Sequence, residues 1–458
     1  CEDVAPNNPY FGVMVPYTPL HHLLLDEIPY LVMTSANIQD EPIAKNREEV
    51  VEKLKDIVSF YLDHNRDIEN RCDDSIGFYL KKRGFSIIRR SRGYAPVPVE
   101  LPFSVEPMLA VGPYLKNTFT LADKREAYIS PHIGDLDNLE TLKFFNEVVA
   151  KYKKWFKITP RIIVHDLHPD YLSTRIAGKM AGRKVAVQHH IAHIVSCLGE
   201  NMVFDKAIGI AFDGTGFGLD HKIWGGEFFI GDLKNQQRVA HLEYLPLPGG
   251  EISIKKPYRI AVAYLYKLFG KITDDLKGAE ADTVIRMIEQ ERNCVDTSSM
   301  GRLFDCVSAL LGITREITYE AEAAINLEYA ASSVVSKGYS YQITDDGVFV
   351  IRVADILAGI VRDLKKKIGV DVIAAKFHNT IVHFSLDVVK KLSRIYRVKK
   401  VCLSGGVFQN RYLLTLMIDE LERNGFEVYV HHKLPTNDGC ISYGQVIMAG
   451  SLLKKRSV

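Results

Sequence analysis

Three observations predict an α/β fold for most of the 458-residue chain. From Met108 onward, short apolar runs with strand patterning alternate with amphipathic helical ones. Two segments, MLAVGPYLKNTFTLADKREAYISPHIGDL and KAIGIAFDGTGFGLDHKIWGGEFFIGDL, each enter on an apolar strand and turn through Gly, Asn, Thr or Asp, a weak repeat of plan rather than of letters. Near the end, KKVCLSGGVFQNRYLLTLMIDELERNG reads as strand, Gly-Gly turn and helix. At about 150 residues per domain, the length predicts two to four domains.

Taken in order, the first segment, to about residue 102, mixes short strand patterns with one helix over NREEVVEKLKDIVSFYLDHN, where Val50, Val51, Leu54, Ile57, Val58 and Leu62 recur at helical spacing. Pro96, Pro98, Pro102 and Pro107 then read as a linker, with a boundary near Glu100 that gives domains 1–100 and 101–458. The first hairpin reads as strand, turn, strand, turn, strand, and a helix follows over NLETLKFFNEVVAKYKKWF. Next come the strand RIIVHDL, the helix YLSTRIAGKMAG, the strand KVAVQH, a helix opening at HHIAHIVSCLGE and the second hairpin. Residues 257–336 read as mostly helical. The strand pair SYQITDDGVFVIRV, two long helices, the Gly-Gly unit, the strand EVYVHH and a last helix after PTNDG complete the chain.

Composition narrows the function. With 47% hydrophobic and 25% charged residues the chain is ordinary globular protein. Its 58 Lys+Arg against 56 Asp+Glu leave a net charge of +2, so no global field draws it to nucleic acid or to an anionic membrane. No run of about 18 apolar residues reads as a membrane span. Seven widely spaced cysteines without C-x-x-C exclude a zinc finger in this chain and argue against a disulfide framework, which makes a reducing cytoplasm the simplest compartment. The opening CEDVAPNNPYFG has neither an initiator Met nor a signal peptide, so Cys1 reads as a cut end.

The sharpest motif is VQHHIAH. His189 and His193 stand at i and i+4, one above the other on a helix, and can share a divalent ion; the alternative is two surface histidines. His190 occupies the Glu position of H-E-x-x-H, so a metalloprotease base is missing. Asp438 in PTNDG, between a strand end and a helix start, is the candidate third ligand, and a His₂Asp set suits Zn²⁺ or Fe²⁺ equally. In FDGTGFG, Gly214, Thr215 and Gly216 can cradle phosphate while Asp213 holds Mg²⁺ or accepts a proton; a tight hairpin turn is the alternative. In LSGGVFQN, Gly405 and Gly406 at a helix start suit an anion or a nucleotide edge, against a close strand–helix crossing. Two such turns on separate strands fit a cleft-bound nucleotide better than either alone. Asp305, on the apolar helix GRLFDCVSALLG, can bind ribose hydroxyls or lie exposed. Ser35 and Asn37 in VMTSANIQDEP can bind phosphate or an acyl carbonyl, or form a turn with a helix cap. Lys81, Lys82, Arg83, Arg89, Arg90 and Arg92 read chiefly as a solvated strand pair, with one or two free to meet a phosphate.

In one order along the chain, GVMVPYTPLHHLLL, VMTSANIQDEPI, RCDDS, RRSRGYAP, AVGPYLKNTFTLA, SPHIGDL, HDLHPDYLST, VQHHIAH, FDGTGFG, WGGEF, LPLPGG and LSGGVFQN closely resemble the hydrogenase maturation carbamoyltransferase family HypF. The resemblance runs from about Gly12 to about Ala449. It implies the latter half of a YrdC-like domain followed by a complete TsaD-like domain, a duplicated ATPase fold of the actin/sugar-kinase type. The acylphosphatase, zinc-finger and front YrdC-like parts of the family are expected to be absent. It also implies a reaction: carbamoyl phosphate and ATP give carbamoyladenylate, whose carbamoyl group passes, with loss of AMP, to a C-terminal Cys thiolate of the partner HypE. By motif, His189, His193 and Asp438 would hold a metal, and Asp213 to Gly216, Asp305, Gly405, Gly406 and Asn410 would line the nucleotide. Pro131 stands where the family usually has Gln, and Ala321 where it usually has Gly.

For that chemistry, Asp213 would take the incoming proton or fix the leaving group. Lys116, at the first hairpin turn, would neutralise charge at the reacting centre and face Asp213. Three alternatives stand beside it: O-carbamoyl transfer to a small-molecule hydroxyl, tRNA modification, which the small net charge argues against, and a non-catalytic nucleotide-gated docking module.

Overall fold

The computed structural model describes residues 4, 5, 8–38, 41–81, 83–332 and 334–454. Cys1, Gln39, Asp40 and Lys82, which entered the sequence reading, lie outside the described residues. The chain forms two compact units, Cys1–Arg71 and Cys72–Val458.

The first unit carries two helices, Pro19–Glu27, capped by Thr18, and Arg47–Leu54, capped by Asn46. The second is shorter than its apolar spacing predicts. Ile57, Phe60 and Leu62 are exposed, so nothing packs against a longer helix, and propensity alone does not sustain one.

The second unit opens on a hairpin of β1 (Ile76–Leu80) and β2 (Gly84–Arg89). A four-stranded sheet follows, built from β3 (Val99–Ala110), β4 (Thr120–Ile129), β5 (Ile162–Asp166) and β6 (Arg183–Val187) in the order β4-β3-β5-β6. The first pair is antiparallel and the rest parallel. The larger sheet contains β7 (Ala207–Phe217), β8 (Ile223–Gly231), β9 (Gln236–Leu242), the edge pair β10 (Leu245–Pro248) and β11 (Cys294–Thr297), β12 (Gln342–Asp345), β13 (Phe349–Arg352), β14 (Lys400–Ser404) and β15 (Glu427–Tyr429). Its main path runs β12-β13-β9-β8-β7-β14-β15. Each half therefore repeats one plan: an antiparallel hairpin whose first strand is flanked by two parallel strands reached through helical crossovers. That is the duplication expected of an actin/sugar-kinase-like ATPase.

The helices follow from amphipathic spacing. In Leu139–Phe156, capped by Asn138, the residues Phe144, Phe145, Val148, Val149 and Tyr152 bury one stripe against the four-stranded sheet, in a core with Leu109 and Leu121. The helix His189–Glu200, between the two halves, is buried almost throughout, and its alanine and aliphatic residues share a core with Val446 and Ile447 of the terminal helix Ile441–Lys454. Among the described residues, no helix is long and apolar enough to cross a membrane.

Two further expectations change. The proline-rich stretch is no linker, since Pro102 and Pro107 lie inside β3. Prolines cannot donate to a ladder, and the β3–β4 register shifts between Glu100 and Val105 and again between Val105 and Met108, which accommodates them. The third strand expected in the first hairpin is a single bridge, Asn117 to Gly134. Within the basic cluster, Arg83 pairs with Glu422, Arg92 with Asp74, and Arg90 donates to the carbonyls of Tyr94 and Val97 at 2.9 and 2.8 Å.

Candidate functional site

Strand ends and one helix start bring the chemistry together. His189 opens the helix His189–Glu200, and His193 lies one turn on. Asp213 sits in a register shift of β7 between Phe212 and Gly216, a bulge that re-aims its side chain. Asp438 begins a short 3₁₀ turn capped by Asn437. His189 Nε2 lies 3.3 Å from Asp213 Oδ2 and 3.5 Å from Asp438 Oδ1. His193 Nε2 lies 3.5 and 3.6 Å from the same two oxygens. One donor atom from each residue lies within 4.8 Å of all the others.

This spacing fits a metal. A tetrahedral ion with bonds of about 2.1 Å spaces its ligands about 3.4 Å apart. His193 Nε2 is buried without a hydrogen-bond partner, as an imidazole lone pair reserved for an ion would be. His189 donates from Nδ1 to Asp166 Oδ2 at 2.9 Å, the carboxylate backing usual for a ligating histidine. Asp213 accepts from the Gly406 N–H at 3.1 Å through Oδ1, which leaves Oδ2 facing the imidazoles. Gly216 makes the packing possible, because a Cβ there would stand 2.4 Å from His190 Cε1 and 3.1 Å from His189 Cδ2.

Electrostatics follow from burial and pairing. Burial alone would lower the His189 pKa, but the Asp438 charge and the contacts with Asp166 and Asp213 outweigh it and raise it well above the ordinary value. His193 behaves likewise through Cys440, Asp213 and Asp438. Burial pushes both carboxyls up, and the two imidazoles reverse this, holding Asp213 well below and Asp438 below the usual range. Behind His193, burial raises the Cys440 thiol, but the charges of His193 and His431 bring it down to about 6. Burial works against a charged His431, yet Glu200 and Cys440 pull it up to about 10.

The residues expected to line a nucleotide converge on the same strand ends. β7 and β14 are parallel neighbours, with Ser404 opposite Ala211, so the two glycine turns lie side by side rather than on opposite walls of a cleft. Gly214 has open space beyond its Cα, with Arg302 Nη2 4.0 Å from where a Cβ would stand. Thr215 continues the bulge, half-buried. Gly405, at φ 109°, packs on backbone: a Cβ would stand 2.2 Å from the Phe212 carbonyl oxygen. Close crossing, the alternative reading, is thus reason enough for this glycine. Asp305 is buried and accepts from Arg302 Nε at 2.7 Å, so it is neither exposed nor free. Asn410 caps the helix Arg411–Arg423 through Leu413 N–H. His378 Nδ1 lies 2.8 Å from the Ala374 carbonyl and therefore donates, so His378 Nε2 accepts from Asn410 Nδ2 at 2.9 Å.

Lys116, at φ 45°, forms an ion pair with Glu320 and feels the Asp438 charge. Ser35 and Asn37 belong to the first unit. There the Ser35 hydroxyl bonds Asn37 Oδ1 at 2.5 Å and Asn37 Nδ2 donates to the carbonyls of Ile38 and Glu41, a local turn. Sequence reasoning gave Asp213 a catalytic role and missed its place beside the histidines. It also passed over Asp166, Arg302, His431 and Glu200, and it named Ser404 and Glu320 without the partners they have here. A carboxylate ending a strand, as in HDLHPDY, was the available signal for Asp166.

Comparison with known proteins gives matches along most of the chain. Residues 209–445 match the family described as "Carbamoyltransferase, Kae1-like Domain, second subdomain", residues 104–200 the "HypF Kae1-like domain", and residues 1–91 a Sua5/YciO/YrdC model described as "Telomere recombination". The carbamoyltransferase HypF of Synechocystis is 36% identical over 472 residues, covering 97% of this chain and 60% of the relative. A carbamoyltransferase HypF homolog of Cupriavidus necator is 32% identical over 359 residues, 75% of this chain and 91% of the relative. A crystal structure of full-length HypF in its phosphate- and nucleotide-bound form superposes with a TM-score of 0.95 at 44% identity, covering 98% of this chain and 72% of that one. The chain spans about three fifths of the length of the first curated relatives it matches.

Proposed function

Because the chain belongs to the HypF carbamoyltransferase family, we propose that its second unit transfers a carbamoyl group from carbamoyladenylate to the C-terminal Cys thiolate of HypE, for hydrogenase cyanide ligand synthesis. Carbamoyl phosphate and ATP are the precursors of the adenylate, and Mg²⁺ accompanies the ATP. The observation that carries this reading is the His₂Asp₂ cluster directly beside the Gly214 and Gly406 turns.

His189, His193, Asp213 and Asp438 would hold one divalent ion, Zn²⁺ or Fe²⁺. Such an ion supplies Lewis-acid polarisation of adenylate oxygens. The chain does the rest. Backbone at Gly214 has room to approach the nucleotide. Asp166 fixes the His189 ring, and the Gly406 N–H fixes Asp213. The thiolate sulfur attacks the carbamoyl carbon, the carbon–oxygen bond to phosphate breaks, and AMP leaves with the electron pair. Asp213, held below the ordinary carboxylate range, is a poor acceptor for the thiol proton and a better ligand. Lys116, paired with Glu320, is placed to balance charge at the Asp438 side.

Supplying preformed carbamoyladenylate and the acceptor tests this. Mass spectrometry should find carbamoylated acceptor, and none with carbamoyl phosphate plus ATP if this chain makes no adenylate. Equal rates from wild type and a folded His189→Ala/His193→Ala variant would sink catalysis and favour a docking role.

A further inference from the structure

Behind the two histidines the supports differ. His189 has a carboxylate directly on Nδ1, from Asp166 at 2.9 Å. His193 has none. Its Nδ1 lies 3.2 Å from Ser404 Oγ, at the end of β14. Ser404 Oγ lies 2.8 Å from His431 Nε2, and His431 Nδ1 lies 2.9 Å from Glu200 Oε1 as an ion pair. Glu200 is itself anchored, accepting from the backbone N–H groups of His432, Lys433 and Leu434 at 3.0–3.1 Å. All four side chains are buried. The row starts at a residue that caps a loop, passes through His431 Nδ1, held to Glu200 by charge without hydrogen-bond geometry, and ends at the histidine whose outer nitrogen also has no hydrogen-bond partner.

We infer that Ser404, backed by His431 and Glu200, is the positioning residue for His193, keeping its proton on Nδ1 and its Nε2 lone pair turned toward Asp213 and Asp438. The inference rests on the metal reading above. An imidazole has one lone pair when neutral, so a ligating Nε2 obliges Nδ1 to carry hydrogen and to donate it. Ser404 Oγ has two acceptor lone pairs. In either protonation state of His431, neutral and accepting or charged and donating, the hydroxyl keeps one lone pair for His193. Cys440 Sγ stands 3.3 Å from the same nitrogen and is the rival acceptor, so Cys440→Ala is measured beside Ser404→Ala.

Cobalt serves as the probe in the full 458-residue chain, with Co²⁺ affinity read by chelator competition and ligand geometry by the visible d–d bands. Ser404→Ala should weaken Co²⁺ binding by about 10–100-fold, the range for losing an outer partner of a ligating histidine, and shift the bands. His431→Gln, whose amide can still bond the Ser404 hydroxyl, should stay near wild type, whereas His431→Leu should weaken binding like Ser404→Ala. Glu200 keeps its three backbone donors in both His431 variants, so this pair separates positioning from folding. Wild-type affinity and bands in Ser404→Ala, equal loss in both His431 variants, or a larger loss in Cys440→Ala than in Ser404→Ala would each overturn the inference. Failure of the wild-type chain to bind Co²⁺ at all would overturn the metal reading and this inference with it.

Discussion

Asp213→Asn separates a ligand from a catalytic base. The change keeps shape and keeps an oxygen for the Gly406 N–H at 3.1 Å, so the β7 bulge should persist. What it alters is the atom 3.3 Å from His189 Nε2 and 3.5 Å from His193 Nε2. There an anionic oxygen becomes an amide NH₂, which donates into the two lone pairs that an ion would need. Asp438, at 3.5 and 3.6 Å, is then the only carboxylate left facing the pair among the four clustered residues. Loss of an outer partner typically costs about 10–100-fold in metal affinity, and loss of a charged donor in the cluster itself should exceed it. The expected weakening is at least about a hundredfold, or about 2.7 kcal/mol. Zinc competition against a chromophoric chelator measures it, with urea unfolding to confirm the fold. If Asp213→Asn binds zinc as tightly as wild type yet transfers no carbamoyl group, Asp213 is the proton acceptor and the ligand argument is wrong.

Gly405→Ala should destabilise the second unit by more than about 3 kcal/mol in urea, because its Cβ would meet the Phe212 backbone at 2.2–2.9 Å and φ 109° suits only glycine; an unchanged midpoint would refute the crossing argument and return this glycine to the nucleotide alone. Ala321, at φ 64°, is a left-handed alanine, so Ala321→Gly should raise stability by about 0.5–1 kcal/mol; a lower urea midpoint would refute it. Burial lifts the Glu328 carboxyl to about 7 against the N–H groups of Arg411 and Tyr412 that favour its charge. A folded pKa above the unfolded one means that the folded chain takes up a proton, so this group's contribution to stability grows as pH falls from about 7 toward 4.5 and is lost above 7. For a half-buried group the effect is about 1–2 kcal/mol after solvent screening. Glu328→Gln should therefore stabilise at pH 8 and change little at pH 5, and equal effects at both would refute the assignment.

The fold was legible where local pattern and tertiary packing agree. The helix over residues 139–156 could be read because its capping Asn138 and its apolar stripe require each other's presence at one spacing. The β3 prolines misled because a linker signal depends only on composition, while a bulged edge pairing depends on where β4 comes to lie. The helix over residues 47–65 was overextended for the converse reason: its periodicity is real, but Ile57, Phe60 and Leu62 meet nothing in their own unit. In the site, His189 and His193 declared themselves because helical spacing alone puts them together. The contacts made across sequence distance did not. Asp213 follows His189 by 24 residues and meets it only because a strand bulge turns it, and Ser404 lies 211 residues from His193.

That contrast explains why the two histidines carry different support. His189 stands at the first position of its helix, where β5 ends close by and can hand it Asp166 directly. His193 is one turn deeper, where β14 ends instead, and β14 offers the small Ser404 because the next residue, Gly405, must pass against Phe212. A carboxylate on that strand end would have little room, so the charge is set further back, on Glu200 at the far end of the same helix that bears both histidines. One helix thus carries the inner residues at its start and the outermost anchor at its close, with His431 and Ser404 spanning the interval. A rigid twelve-residue helix ties these positions to one another, so a change at Glu200 should be felt at His193 without any shift of His189. Co²⁺ bound to a Glu200→Gln chain tests that asymmetry through its histidine NMR signals, of which one should move and the other stay; both moving together would mean that the helix itself has shifted.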